Sequence, residues 1–189
     1  MTPRGAMPVA LLLAACGGES TTGSAARTGE VSLTNATPAQ VAEQAAAASA
    51  SGAIRFDPGE WETTVELIDA QMPGMPDGVA RQVRDSMKMR TTVTSCMTPE
   101  QAGRPNEEML AGNGGDCRFA DYRMHSGRLQ ATMTCQGGQG APTATIVMDG
   151  RYTATSFALE NSIETQAGAM GAMTMRSRVS GKRLGDCKT

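Results

Sequence analysis

The chain has 189 residues and a formal charge of −2, with 40% hydrophobic residues but only 3% aromatic ones. That length holds one domain of ordinary size. With the near-neutral charge it excludes a multi-domain enzyme, a polytopic membrane protein and a strongly basic nucleic-acid binder. Ile, Leu, Val and Phe together supply 25 residues, and 14 Met with the many Ala make up part of the missing apolar volume.

The chain starts as a targeting segment. Arg4 precedes an apolar run over residues 6–15, which at about ten residues is far short of the ~20 that cross a bilayer. The run ends Leu13-Ala14-Ala15-Cys16-Gly17. This resembles the lipobox of bacterial lipoproteins: an aliphatic residue, two small ones, then the cysteine whose thiol accepts lipid. The resemblance implies that residues 1–15 are a signal peptide and that Cys16 carries acyl chains such as palmitate. It also implies a membrane-anchored protein, the lipid membrane being its partner through Cys16. Gly17 stands where an Asp directs inner-membrane retention, so the expected site is the periplasmic face of the outer membrane. An ordinary secretory leader cut near Ala15 is the competing reading.

Residues 17–36 are rich in Gly, Ser, Thr and Ala and read as a flexible tether. Thr37-Pro38-Ala39-Gln40 has the form of a helix start: a Thr cap, Pro in the first turn and Gln three residues on. The Ala-rich run to Ala50 continues that helix, and Gly52 stops it. With Val41 its one larger apolar residue, such a helix buries little area and packs weakly or stays detached. The expected organisation is therefore 1–15 signal, 16–53 lipidated cysteine, tether and Ala-rich helix, and 54–189 a β-rich domain.

From residue 54 the pattern changes. Trp61, Thr63, Val65 and Leu67 alternate with Glu60, Glu62, Thr64 and Glu66, a half-buried strand with one wet face. Residues 72–78 form a loop. Val79, Val83 and Met87 recur every four residues and predict a short helix. Residues 91–97 are β-branched and strand-like. One or two helical turns are expected within residues 99–111, around 107–110, with a turn at Asn113-Gly114-Gly115. Two strands then flank Ser126-Gly127, a hairpin signal; the second alternates Leu129, Ala131, Met133 and Cys135 against polar residues. After a glycine loop at 137–140, residues 143–152 and 156–164 are strand-like. The last strand sets Met173, Met175 and Val179 inside and Arg176 and Arg178 outside. The fold class is mainly β: an antiparallel curved sheet or partial barrel of about seven strands with one or two short helices.

With Cys16 assigned to lipid, Cys96, Cys117, Cys135 and Cys187 remain. In an oxidising compartment four cysteines read as two disulfides with three possible connectivities. The first choice is Cys96–Cys117 with Cys135–Cys187. The second is Cys117–Cys135, across one hairpin, with Cys96–Cys187. A zinc site lacks any closely spaced Cys pair and has one His to draw on, so no metal or other cofactor is expected there.

The order of Pro58-Gly59-Glu60-Trp61, Met72-Pro73-Gly74-Met75-Pro76, Cys96-Met97-Thr98-Pro99-Glu100 and the closing Gly185-Asp186-Cys187 resembles an uncharacterised bacterial envelope family, domain of unknown function 3617, over about residues 54–187. The resemblance implies a secreted or lipid-anchored periplasmic domain with two disulfides and no established activity.

The residues themselves favour binding over catalysis. No nucleophile elbow or P-loop is present, and His125, the single His, falls just before a turn. The protein is thus expected not to be an enzyme and not to bind nucleic acid. Curved sheets often cradle apolar ligands; here Trp61, Leu67, Leu129, Met133 and Met148 are the groove candidates, for an apolar small molecule or an envelope protein. Trp61 is also the natural core anchor of a domain short of aromatics. Two alternatives remain. Met72-x-x-Met75, Met87-x-Met89 and Met170-x-x-Met173-x-Met175 offer thioethers to copper(I). A hydrolase would need a polar cleft holding His125 beside Ser or Asp.

Overall fold

The computed structural model describes residues 25, 27–52, 55–87, 90–103, 116–137, 142–166 and 172–188. Cys16 and the signal segment, the turns expected around 107–110 and 113–115, the loop at 138–140, Met89 and Met170 lie outside the described residues. Eight strands form one curved, unclosed antiparallel sheet. They are β1 (Val31–Ala36), β2 (Gly59–Gln71), β3 (Arg90–Met97), β4 (Asp116–His125), β5 (Arg128–Gln136), β6 (Ala144–Tyr152), β7 (Ser156–Gln166) and β8 (Ala172–Gly185). Their spatial order is β1-β4-β5-β6-β7-β8-β2-β3. Helices α1 (Pro38–Ala50), α2 (Asp77–Met87) and α3 (Pro99–Gly103) accompany the sheet.

From β4 to β8 the chain is a meander, each strand pairing with the next. The tightest corner is the two-residue turn Ser126-Gly127, where both residues take positive φ (49° and 74°). That geometry matches the right-handed twist of the strands it joins. Beyond β8 the order reverses: β2 pairs with β8 and carries β3 on its far side.

One expectation fails at the N-terminal side. Residues 31–36, read as tether, are an edge strand in register with β4 from Val31↔Met124 to Ala36↔Phe119. The Ala-rich helix is not detached either. Val41, Ala45 and Ala48 are buried, and α1 lies against β1 and β4. Ala side chains are small enough to let a helix approach a sheet closely, and the area buried comes largely from Phe119, Tyr122 and Met133 beneath it. The helix start is as expected: the Thr37 amide donates to Gln40 Oε1 (2.8 Å), and the Gln40 amide to Thr37 Oγ1 (3.2 Å). The same reciprocal cap opens α3, between Thr98 and Gln101. In α2 the expected stripe is displaced: Val79 is exposed, and Ala80 is the buried residue. No helix among the described residues is long and apolar enough to cross a membrane.

Candidate functional site

Alternation along paired strands assigns every residue to one of two faces. One cross-strand row reads Leu33, Tyr122, Ala131, Met148, Asn161, Ser177 and Leu67 from β1 to β2. The next row toward the Cys135 end includes Met133, Ile146, Ile163, Met175 and, past a bulge at Ile68, Ala70. This is the inner face. Helix α1 covers it over β1 and β4, and Val41 and Ala48 join Phe119, Tyr122, Ala131 and Met133 in one buried cluster. Over β6, β7, β8 and β2 the face stays apolar, but Ile146, Met148, Leu159, Ile163, Met175, Val179 and Leu67 are only half-buried, and Val65 is 43% exposed. An apolar strip therefore continues past the part that the helix seals.

Asn161 breaks that strip. It stands opposite Met148 on one side and Ser177 on the other. Its Oδ1 is buried without a hydrogen-bond partner, as is Tyr152 Oη. Burial pushes the Tyr152 phenol above its usual pKa. An orphaned polar atom in an apolar setting costs about 1–3 kcal/mol unless a water or ligand meets it.

All five groove candidates lie on the inner face, but they do not line one open groove. Trp61 is 1% exposed. It stacks on Phe157 at 6.1 Å, meets Phe56 edge-on at 5.5 Å, and donates its indole N–H to the Asp57 carbonyl. It is the core anchor of this end of the sheet. Met133 is in the core under α1, and Leu129 and Met148 pack partly against that core. The space expected for a ligand at Met133 is thus taken up by the buried cluster that includes Val41, Ala48 and Phe119. Only Met148 and Leu67 border the strip that remains, and its other members, Ile146, Leu159, Ile163, Val179 and Asn161, are absent from the sequence-based set. The alternation of residues 143–164 carries the signal for the first three and Asn161, and Val179 falls on the inner side of the last strand as its own alternation predicts.

The cysteines form the second pairing. Cys117 and Cys135 face each other across β4 and β5 with Cα atoms 4.0 Å apart, and Cys96 joins Cys187 at 5.5 Å. The first-choice pairing is therefore overturned. Its premise was that Cys96 and Cys117 lie on neighbouring strands, whereas β3 and β4 stand at opposite sides of the sheet. The second disulfide spans from β3 to the end of β8 over the start of β2.

At that corner three of the motifs meet. A depression there is lined by Pro58, Gly59, Cys96, Met97, Thr98, Pro99, Asp186 and Cys187. Arg183 ties it together, donating to the Pro58 carbonyl (2.8 Å) and to Asp186 (2.6 Å). Gly59 has φ 144°, and a Cβ there would overlap the Gly185 carbonyl. The motif residues thus build a structural junction.

The outer face is charged. Arg178 and Arg176 converge on Glu160, Arg128 and Gln130 on Asp149, and Lys182 on Glu62. The hydrogen bond from Arg178 holds the Glu160 carboxyl below its usual pKa; those from Gln130 and then Arg128 do the same for Asp149. A depression of about 170 Å³ on this face is bordered by Ile68, Val147, Asp149, Glu160 and Arg176. His125 stands exposed at the tip of β4, opposite Arg128, and lines neither depression. Among the described residues no group of three or more His, Cys, Asp or Glu is placed to hold a metal ion. For the methionines, the register Gln71↔Thr174 brings the Met72–Met75 turn to the end of the sheet that carries Met173 and Met175.

An open antiparallel sheet, dry on part of one side, charged on the other and bridged by a disulfide at each end, defines a class by architecture rather than by chemistry. Within it the family is specific: residues 56–187 match the model of the protein family of unknown function DUF3617, and the chain belongs to that family. No curated protein and no solved structure matches the chain.

Proposed function

We propose that this is a lipid-anchored, non-catalytic protein of the bacterial envelope whose inner sheet face holds the apolar chain of a small amphiphile. The observation that carries the binding reading is the strip over β6, β7, β8 and β2, apolar and half-buried, with the orphaned Asn161 Oδ1 within it. Apolar side chains take the hydrocarbon, and the Asn161 amide meets a polar group of the ligand. Anchoring rests on the Leu13-Ala14-Ala15-Cys16 motif; two or more acyl chains hold a protein stably on a membrane. The non-catalytic reading is supported by the isolation of His125 from both depressions.

Two measurements test it. Titration of a fluorescent long-chain acyl probe into purified protein is expected to saturate at micromolar concentration. Ile163→Glu on the inner face abolishes binding, and Thr132→Glu on the outer face leaves it intact. Absence of saturation up to about 100 µM, about −5.5 kcal/mol, overturns the ligand reading. Mass spectrometry of the mature N-terminal peptide tests the anchor, for which an unacylated Cys16 is the refuting result.

A second reading is favoured by one observation, the gathering of Met72, Met75, Met173 and Met175 at one end of the sheet. It is copper(I) binding through thioethers. Titration with Cu(I) against a competing chelator tests it, and no binding tighter than micromolar refutes it.

A further inference from the structure

The two edges of the sheet are finished differently. β1 is six residues long, turns away at Asn35 (φ 50°), and runs at once into the Thr37 cap and Pro38. Its Asn35 carbonyl already accepts a hydrogen bond from Arg118. β3 has none of these devices. It runs Arg90–Met97, and its register with β2 continues without a shift from Gly59↔Met97 to Glu66↔Arg90. It contains no Pro, no Lys and no bulge, the means by which edge strands are usually kept from pairing. Residues 90–96 are all exposed, with Val93 at 53% on the inner face. The far end of the strand is pinned by Cys96–Cys187, so little ordering entropy remains to be lost on pairing.

We propose that β3 is the docking edge for a second copy of this chain, joined antiparallel about a two-fold axis at Val93. Charge selects this occupant. The strand carries one charge, Arg90, beside Glu66 of β2, and in the two-fold arrangement Arg90 of each copy lies opposite Cys96 of the other, so like charges are never opposed. A two-fold antiparallel pairing keeps each face together, and centring it on Val93 overlaps nearly the whole strand. Thr91, Val93 and Ser95 share the inner face, and pairing Val93 with Val93, Thr91 with Ser95 and Thr92 with Thr94 keeps the inner faces of both copies continuous. The edge is β-branched along most of its length, which suits cross-strand Thr–Thr and Val–Val contacts. An eight-residue edge is about 27 Å long and buries less than the ~800 Å² per partner of a standard interface. The dimer is accordingly a weak one, with a dissociation constant in the micromolar range or above.

Sedimentation equilibrium of the full chain carrying Cys16→Ser, so that no acyl group joins copies, reads the association directly. A monomer–dimer equilibrium is expected between about 1 and 500 µM. Val93→Lys is expected to weaken it at least tenfold; the position is half-exposed, and an unchanged circular dichroism spectrum verifies the fold. In Val93→Cys a short bis-maleimide links two copies, whereas in Val147→Cys, exposed on a central strand, it does not. A chain that stays monomeric throughout, a dimer unaffected by Val93→Lys, or equal crosslinking of both cysteine variants overturns the proposal. So does capture of an extended peptide of unrelated sequence by a monomeric chain, which assigns the edge to a peptide partner instead.

Discussion

The two disulfides differ in what they constrain, and the difference can be worked from their positions. A crosslink lowers the entropy of the unfolded chain by an amount that grows with the logarithm of the loop it closes. Cys117–Cys135 closes 18 residues and Cys96–Cys187 closes 91. The chain-entropy relation gives about 3.2 kcal/mol for the first and about 4.6 kcal/mol for the second at 25 °C. The folded side points the same way. Cys117 and Cys135 are on strands already joined by the Ser126-Gly127 turn and a full ladder, whereas Cys96–Cys187 joins β3 to the segment just past β8, with β2 between the two strands. Cys96→Ser/Cys187→Ser should therefore be less stable than Cys117→Ser/Cys135→Ser by about 1.4 kcal/mol. The assay is urea unfolding followed by Trp61 fluorescence, with the slope compared between variants to verify that the transition stays two-state. Equal losses, or a larger loss at Cys117–Cys135, would refute the reasoning and place the stabilisation in native contacts.

Val41→Ala removes two methyl groups from a fully buried site and is expected to cost about 2 kcal/mol, whereas Val79→Ala, at a half-exposed site, stays within about 0.5 kcal/mol; denaturation midpoints measure both. Gly181→Ala drives a methyl group into the Phe157 ring, which stacks on Trp61; a loss of about 1–3 kcal/mol and a shifted Trp emission are expected, and a neutral outcome shows that the ring can move. Glu160 has its pKa lowered by Arg178 and is stabilising when ionised. Its contribution is full above the ordinary carboxylate range and is lost as pH falls through its lowered value. The stability difference between the native chain and Glu160→Gln should thus be present at pH 7 and vanish near pH 2, and a difference that persists in acid counts against the ion pair.

Much of the sheet is legible in the sequence because alternation and turn chemistry are local. The faces of residues 60–67 and 129–135 and the Ser126-Gly127 hairpin follow from neighbouring side chains alone. β1 does not, because the alternation Val31-Ser32-Leu33-Thr34 covers only four residues within a Gly-, Ser- and Thr-rich stretch, and its partner strand lies more than 80 residues away. Helix α1 was legible as a helix but not as a packed one, because small side chains carry no sign of the large ones they cover. The cysteine pairing turns on a single bulge. Extended straight from the hairpin turn, the register sets Cys135 opposite Arg118, on the wrong face. The irregularity at Ala120 shifts it by one residue and brings Cys117 into place. Of the apolar strip, Leu67 and Met148 were visible, but its extent depended on where α1 stops covering the sheet.

That covering helix also sets an order of assembly. Each hairpin from β4 to β8 joins neighbours along the chain and can close quickly. β1 and α1 are the first described elements to leave the ribosome or a translocation channel, yet Asn35 reaches its partner Arg118 only across 83 residues. Until β4 and β5 have formed, Val41, Ala45 and Ala48 have no surface to bury against, and until α1 returns, Phe119, Tyr122 and Met133 lie open to water. Sealing the core is therefore a late, long-range step performed by a segment that precedes the stretch matched to the family. A chain shortened to residues 56–187 would keep the ladder of the meander and lose its lid, remaining sheet-like in secondary structure while exposing a sticky apolar surface.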